Sequence, residues 1–237
     1  MPLRPLTDLG PADWLSAADA GGFDVISLGA PGFEAYVRLL HALDPDLSGD
    51  QATLNVEGEL GEAQLIALCE VLARHTTTPD DAYFALWDGY GSLHGGTWVL
   101  IAGAEDDGPT APASESELRA AAEAALRSEG KAGSGQLPPA FPPEVMKGPR
   151  LGLSHGRSYL LFEGPLAEAG HWGGHPAHGW INSPNLFWPA DRAWCAATEI
   201  DLPWTGIGGS QALIDELHAD DRFDVVHADP HRDQPYR

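Results

Sequence analysis

The 237-residue chain sets 13 Lys and Arg against 35 Asp and Glu, a formal net charge of −22, and 43% of it is hydrophobic. That balance argues against nucleic-acid backbones and anionic membrane surfaces as partners and favours basic proteins or cationic ligands. The apolar share suffices for a sizeable core, and the 28 Gly and 20 Pro announce many turns without low complexity.

The opening Met1–Trp14 has no apolar stretch of the signal-peptide kind. No apolar run nears the ~18 residues a membrane span needs, so the cytoplasm is the expected compartment. Pro11–Ala20 reads as a short helix with proline in its first turn and Gly21-Gly22 as its stop. Phe23–Leu28 reads as a strand and Gly29–Gly32 as a turn. In Phe33–Leu43, Ala35, Val37 and Leu39 alternate with Glu34, Tyr36 and Arg38, the period of a strand. Gly61–His75 is the clearest helix, because Leu65, Leu68, Cys69 and Leu72 share one face.

Tyr83–Trp87 and Thr97–Ala102 read as two strands of a hairpin, joined by the glycine-rich stretch Asp88–Gly96. Glu105–Ala113 reads as an acidic loop, and Ser114 with Glu117 forms a capping box for a helix over Leu118–Arg127. The Pro- and Gly-rich segment at about 131–149 reads as a flexible connector. Strands follow at Tyr159–Phe162, Trp194–Leu202 and Phe223–Val226. Pro165–Ala169 starts a short helix, and Gly170–Pro184 reads as irregular. Ser210 caps a helix over Gln211–His218. The polar tail from about Asp229 is expected to fray. Strands and helices mix without βαβ regularity. The expectation is therefore a single α+β domain with a mainly antiparallel mixed sheet and flanking helices.

Candidate chemistry is sparse. His171, His175 and His178 have the residue type for a metal site, but Gly and Pro between them deny the helical spacing that would bring them together, so solvated loop histidines are the better reading. The loop around Gly89, Gly91, Gly95 and Gly96 lacks the phosphate-binding patterns, and Asp88 beside it would repel phosphate. Neither Cys69 nor Cys195 has a base-containing motif near it, and both sit in apolar patterns as small hydrophobes. No catalytic residue, cofactor or metal is therefore expected.

What remains is a Trp- and carboxylate-rich set. Glu199 and Asp201 are two apart on a predicted strand and so share a face. Asp88 follows Trp87, and Asp191 precedes Arg192 and Trp194. Trp172, Trp180, Trp188, Trp194 and Trp204 crowd one region, as core residues or as a partner-binding surface. Arg192 is a candidate clamp for Asp191, Glu199 or another carboxylate. The candidate binding residues are Trp87, Asp88, Trp188, Asp191, Arg192, Trp194, Glu199 and Asp201.

Gly32–Tyr36, Phe84–Gly91, Ser183–Trp194, Thr198–Asp201 and Gly206–Ser210 together resemble a family of actinobacterial proteins with no established activity. The resemblance implies a GC-rich actinobacterial origin and a cytoplasmic setting, and supplies no catalytic residue. The expected function is a non-enzymatic acidic binding protein, with an immunity-type inhibitor of a basic protein as the candidate role. The alternatives are a small-ligand binder or hydrolase with a Trp- and carboxylate-lined site, and a His-dependent metal protein.

Overall fold

A computed structural model describes residues 3–20, 24–43, 56–99, 134–175, 182–232 and 234–235. The helix expected over Leu118–Arg127, the acidic loop before it, His178 and Trp180 lie outside these residues. The chain divides into two compact units, one of Met1–Asp88, Gly148–Gly173 and Asn182–Arg237, the other of Gly89–Lys147 and Gly174–Ile181.

In chain order the elements are β1 (Arg4–Pro5), α1 (Asp13–Asp19), α2 (Val25–Leu28), β2 (Ala35–Leu40), α3 (Glu62–Ala73), β3 (Ala82–Trp87), β4 (Gly96–Val99), β5 (Ser134–Leu137), α4 (Pro143–Met146), β6 (Leu151–Leu153), β7 (Arg157–Gly164), β8 (Leu186–Pro189), β9 (Cys195–Thr198), β10 (Trp204–Gly209), α5 (Gln211–Ala219) and β11 (Asp224–His227). The fold is α+β. The larger unit holds a nine-stranded sheet in the order β1-β7-β3-β8-β9-β10-β2-β11, with β6 also on β7. Every pairing is antiparallel.

Strand periodicity decides which side chains meet which helices. Tyr83, Ala85 and Trp87 of β3, Tyr159 and Leu161 of β7, Leu186 and Trp188 of β8, and Cys195 and Ala197 of β9 share one face with Leu15 of α1 and Val25 and Ile26 of α2. The alternate residues turn the other way. Phe84 stacks on Phe187 there, and Trp194 meets Phe187 edge-on while its Nε1 donates to the Leu72 carbonyl at the end of α3. Helices thus cover both faces, which explains why β3 and β8 are apolar on both sides.

Two expectations are corrected here. Phe23–Leu28 is no strand: Val25–Leu28 is a helical turn lying on β9 and β10. The hairpin of Tyr83–Trp87 with Thr97–Ala102 does not form, since β3 lies between β7 and β8 while β4 pairs with β5. Five strands escape sequence patterning altogether, β1, β5, β6, β8 and β10. Pro189 ends β8 opposite Ala82 and so costs the ladder little, although proline there suggested a turn or an edge. The glycines of β10 exist for close approach. A Cβ on Gly206 would stand 2.2 Å from the Ser27 carbonyl oxygen, so only glycine lets α2 lie flat on the sheet.

The smaller unit contains the β4–β5 ribbon and α4, with Leu93, Ala140 and Phe141 buried. β5 and α4 both fall within the segment read as a connector at about 131–149.

Candidate functional site

The eight candidate residues fall at two ends of the sheet. Trp87 closes β3 at one end, while Ala82 at the other end pairs with Pro189, two residues before Asp191. A six-residue strand separates those ends by roughly 17 Å. Asp191 and Arg192 therefore do not converge with Trp87, Glu199 and Asp201.

At the first end Trp87, Glu199 and Asp201 are gathered by Arg157, a residue the sequence reading did not single out. Arg157 opens β7, and Glu199 and Asp201 follow β9, so the twofold alternation sends Arg157 and Glu199 to the face lined by Trp87. Arg157 Nε donates to Glu199 Oε1 at 2.9 Å, and Nη2 donates to the same oxygen and to Asp201 Oδ2 at 2.7 Å. Its guanidinium carbon stands 5.3 Å from the centre of the Trp87 ring. Glu199 is buried, and that burial pushes its carboxyl up, against the opposing pull of Arg157. The paired carboxylates pull the Arg157 guanidinium up. Asp88 forms a separate pair with Arg150 at 3.0 Å. Asp19, at the end of α1, accepts from both the backbone N and the hydroxyl of Ser154, each at 2.7 Å. Asp88, Glu199 and Asp201 are thus each committed to an arginine, which offsets the charge that acid–base work or cation binding needs.

At the second end Asp191 is a capping group. Its carboxylate accepts from the Thr77 backbone N at 2.7 Å, from the Thr76 and Thr77 hydroxyls at 2.8 Å each, and from the Ala193 backbone N at 3.1 Å. These donors hold its pKa below the usual carboxylate range. Arg192 pairs with neither Asp191 nor Glu199, contrary to the expected clamp. It sits at φ 55°, a left-handed conformation that costs a non-glycine residue about 1 kcal/mol or more. Its guanidinium carbon lies 5.2 Å from the centre of the Trp14 ring. Trp188 and Trp194, read as either core residues or a binding surface, are both 0% exposed and belong to the core.

A third polar group was invisible in sequence. His41, Thr198 and Thr205 are buried on the face that carries Trp194, with Asn185 beside them. His41 Nδ1 lies 2.7 Å from the Val56 carbonyl and must donate to it, so the neutral ring accepts at Nε2 from the Thr205 hydroxyl at 3.0 Å. Thr205 in turn meets the Thr198 hydroxyl at 2.8 Å. Burial lowers the His41 pKa to about 4. A hydroxyl donating to an imidazole with an oriented Nδ1 is the arrangement that activates a nucleophile. Here Thr205 is 0% exposed in mid-sheet, so no substrate reaches it and the chain of bonds serves packing.

His171 is exposed and stands 3.3 Å from Glu168. Among the described residues no group of three or more His, Cys, Asp or Glu is placed to hold a metal. Cys69 and Cys195 are free and buried, and burial pushes both thiols up to about 12. Among the described residues no helix is long and apolar enough to cross a membrane.

Comparison of the chain with protein-family models, with curated proteins and with solved structures finds no match, so function has to be argued from the chain's own geometry.

Proposed function

We propose that this is a non-enzymatic binding protein whose acidic surface engages a basic protein, in the manner of an immunity-type inhibitor. The observation that carries the reading is where the positive charge goes. Arg4, Arg74, Arg150, Arg157, Arg222 and Arg232 each sit on a carboxylate of the chain itself. Arg38 is buried beneath the tail and donates to the Pro235 carbonyl. With these seven cations engaged internally, much of the excess of 35 acidic over 13 basic side chains is left to face solvent. Asp13, Asp24, Glu62, Asp80, Asp221 and Asp224 are exposed, and none takes part in a side-chain hydrogen bond or ion pair among the described residues. Such a surface raises the encounter rate with a basic partner and repels nucleic acid.

Two further features support a binding role over catalysis. The hydroxyl–imidazole chain at His41 is sealed, and the carboxylates around Trp87 are neutralised by arginine. Free buried thiols suit a reducing cytoplasm.

The test is capture from lysate of the protein's own host at low salt, with elution by rising salt and mass spectrometry of what leaves. One basic protein at near-stoichiometric yield, released by salt, is the expected result. A variant with Asp13, Asp24, Asp80, Asp221 and Asp224 changed to Asn should keep its thermal stability and lose most of that capture. Capture that survives both salt and the variant overturns the reading.

A further inference from the structure

We propose that Arg192, backed by Trp14, forms a recognition site for a carboxylate-bearing small molecule at the end of the sheet where β8 finishes. It stands apart from the acidic surface proposed above and takes a ligand of opposite charge, so either proposal can fail without the other.

Four observations meet at this one residue. Arg192 is exposed, and its guanidinium makes no hydrogen bond or ion pair among the described residues. That is unusual in a chain where Arg4, Arg74, Arg150, Arg157, Arg222 and Arg232 are all paired with carboxylates. Its nearest carboxylate in sequence, Asp191, is saturated by Thr76, Thr77 and Ala193 and so is unavailable to it.

The backbone is held in a conformation that Arg does not favour. Arg192 has φ 55°, and its N donates to the Pro189 carbonyl at 2.9 Å, closing a tight turn. Glycine would occupy that position without strain, yet a long cationic side chain stands there. Strained non-glycine positions of this kind cluster at ligand clamps.

The guanidinium lies over the Trp14 ring at 5.2 Å. Stacking restricts its motion and leaves the N–H groups at the guanidinium edge free to meet a planar acceptor. A carboxylate fits that edge with two parallel hydrogen bonds.

Finally, an aromatic cluster stands behind Arg192. Trp14 and Trp188 are in edge-to-face contact with ring centres 6.2 Å apart, and Tyr83 packs on Trp188 at 5.8 Å. The indole Nε1 groups of both Trp14 and Trp188 are buried without an acceptor among the described residues. Both N–H groups are sealed from solvent and Trp188 is 0% exposed, so what the cluster offers a ligand at Arg192 is a rigid aromatic backing and not a donor.

The ligand class follows from the chemistry. The free guanidinium selects an oxyanion, and the Trp14 ring beside it favours a planar one. The strongly negative chain disfavours multiply charged anions at long range, which selects a singly charged carboxylate over a phosphate.

Benzoate is a suitable probe, with benzamide as its neutral analogue. Titration is followed by calorimetry and by the indole N–H resonances in nitrogen-15 NMR spectra. Saturable benzoate binding that shifts the Trp14 and Trp188 resonances is expected, with benzamide binding at least tenfold weaker. Arg192→Gly removes the guanidinium while suiting the positive φ, so the fold is retained, and benzoate affinity should fall at least tenfold. Arg192→Lys keeps the charge but not the two-pronged geometry and should fall between. The proposal is overturned if benzoate does not saturate, if benzamide binds equally well, or if Arg192→Gly binds benzoate like the unaltered protein.

Discussion

Arg157 and Glu199 show how one buried pair organises an end of the sheet. Glu199 is 7% exposed, where an unpaired carboxylate is expensive, and Arg157 supplies two donors to it and a third to Asp201. Replacing Arg157 with Met keeps the bulk over Trp87 and strands the charge. Urea unfolding should then show a loss of roughly 3 kcal/mol. Adding Glu199→Gln to that variant should restore much of the loss, because the stranded charge goes with it. If the double variant is no better than the single one, the pair is not what Arg157 contributes.

His41 makes a prediction with a definite sign. Its pKa is about 4 in the folded chain against 6.5 as the ordinary value. Between those values the unfolded chain holds more protons than the folded one, so stability falls as pH drops from about 6.5 to about 4. The full effect is on the order of 3 kcal/mol. Glu199, raised by burial, acts in the opposite sense: the folded chain holds its proton more tightly, so its contribution is lost as pH rises. Denaturant midpoints measured across the His41 window should slope upward with pH, and His41→Gln should flatten that slope. An unchanged slope in the variant would place the titration elsewhere.

Elements with a strong period were legible before the structure. The helix read over Gly61–His75 is α3, Glu62–Ala73, because one apolar face is written plainly in Leu65, Leu68, Cys69 and Leu72. The alternation at Ala35, Val37 and Leu39 is β2, and Ser210 does cap α5, its hydroxyl accepting from the Leu213 N. Illegible elements are those whose residues answer to distant neighbours. β10 reads Trp-Thr-Gly-Ile-Gly-Gly, a poor strand by propensity, and its small residues make sense only once α2 lies across it. The same holds for the site. Trp87, Glu199 and Asp201 were identifiable as residue types, but Arg157 lies 42 positions from Glu199 and carries no local signal. Arg192 was legible as a polar residue beside tryptophans, and its lack of a carboxylate partner was not.

Gly206→Ala tests that view of β10 directly. The new Cβ meets backbone atoms of Ser27 and Leu28, which cannot rotate away. A loss of about 3 kcal/mol or more, or failure to fold, is the expected outcome by overpacking. Gly152→Ala in β6 meets nothing within 4 Å and is the control, expected to stay within ~0.5 kcal/mol. Equal stability of the two variants would mean that α2 is free to move off the sheet.

At the scale of the whole molecule the charge dominates. A formal −22 on 237 residues repels itself, and added salt screens that repulsion. The melting temperature should therefore rise with sodium chloride, even though individual ion pairs such as Arg74 with Glu216 weaken. The same screening should act in reverse on association, where the charge attracts. The most direct test is the association rate with the basic protein that the chain retains from its host lysate, measured by stopped flow as ionic strength rises from about 20 to about 200 mM. A fall of about tenfold or more, with a dissociation rate that changes little, is what electrostatic steering by the acidic surface predicts. A rate that is flat across that range, or a lysate from which no basic protein is retained at low salt, would contradict it.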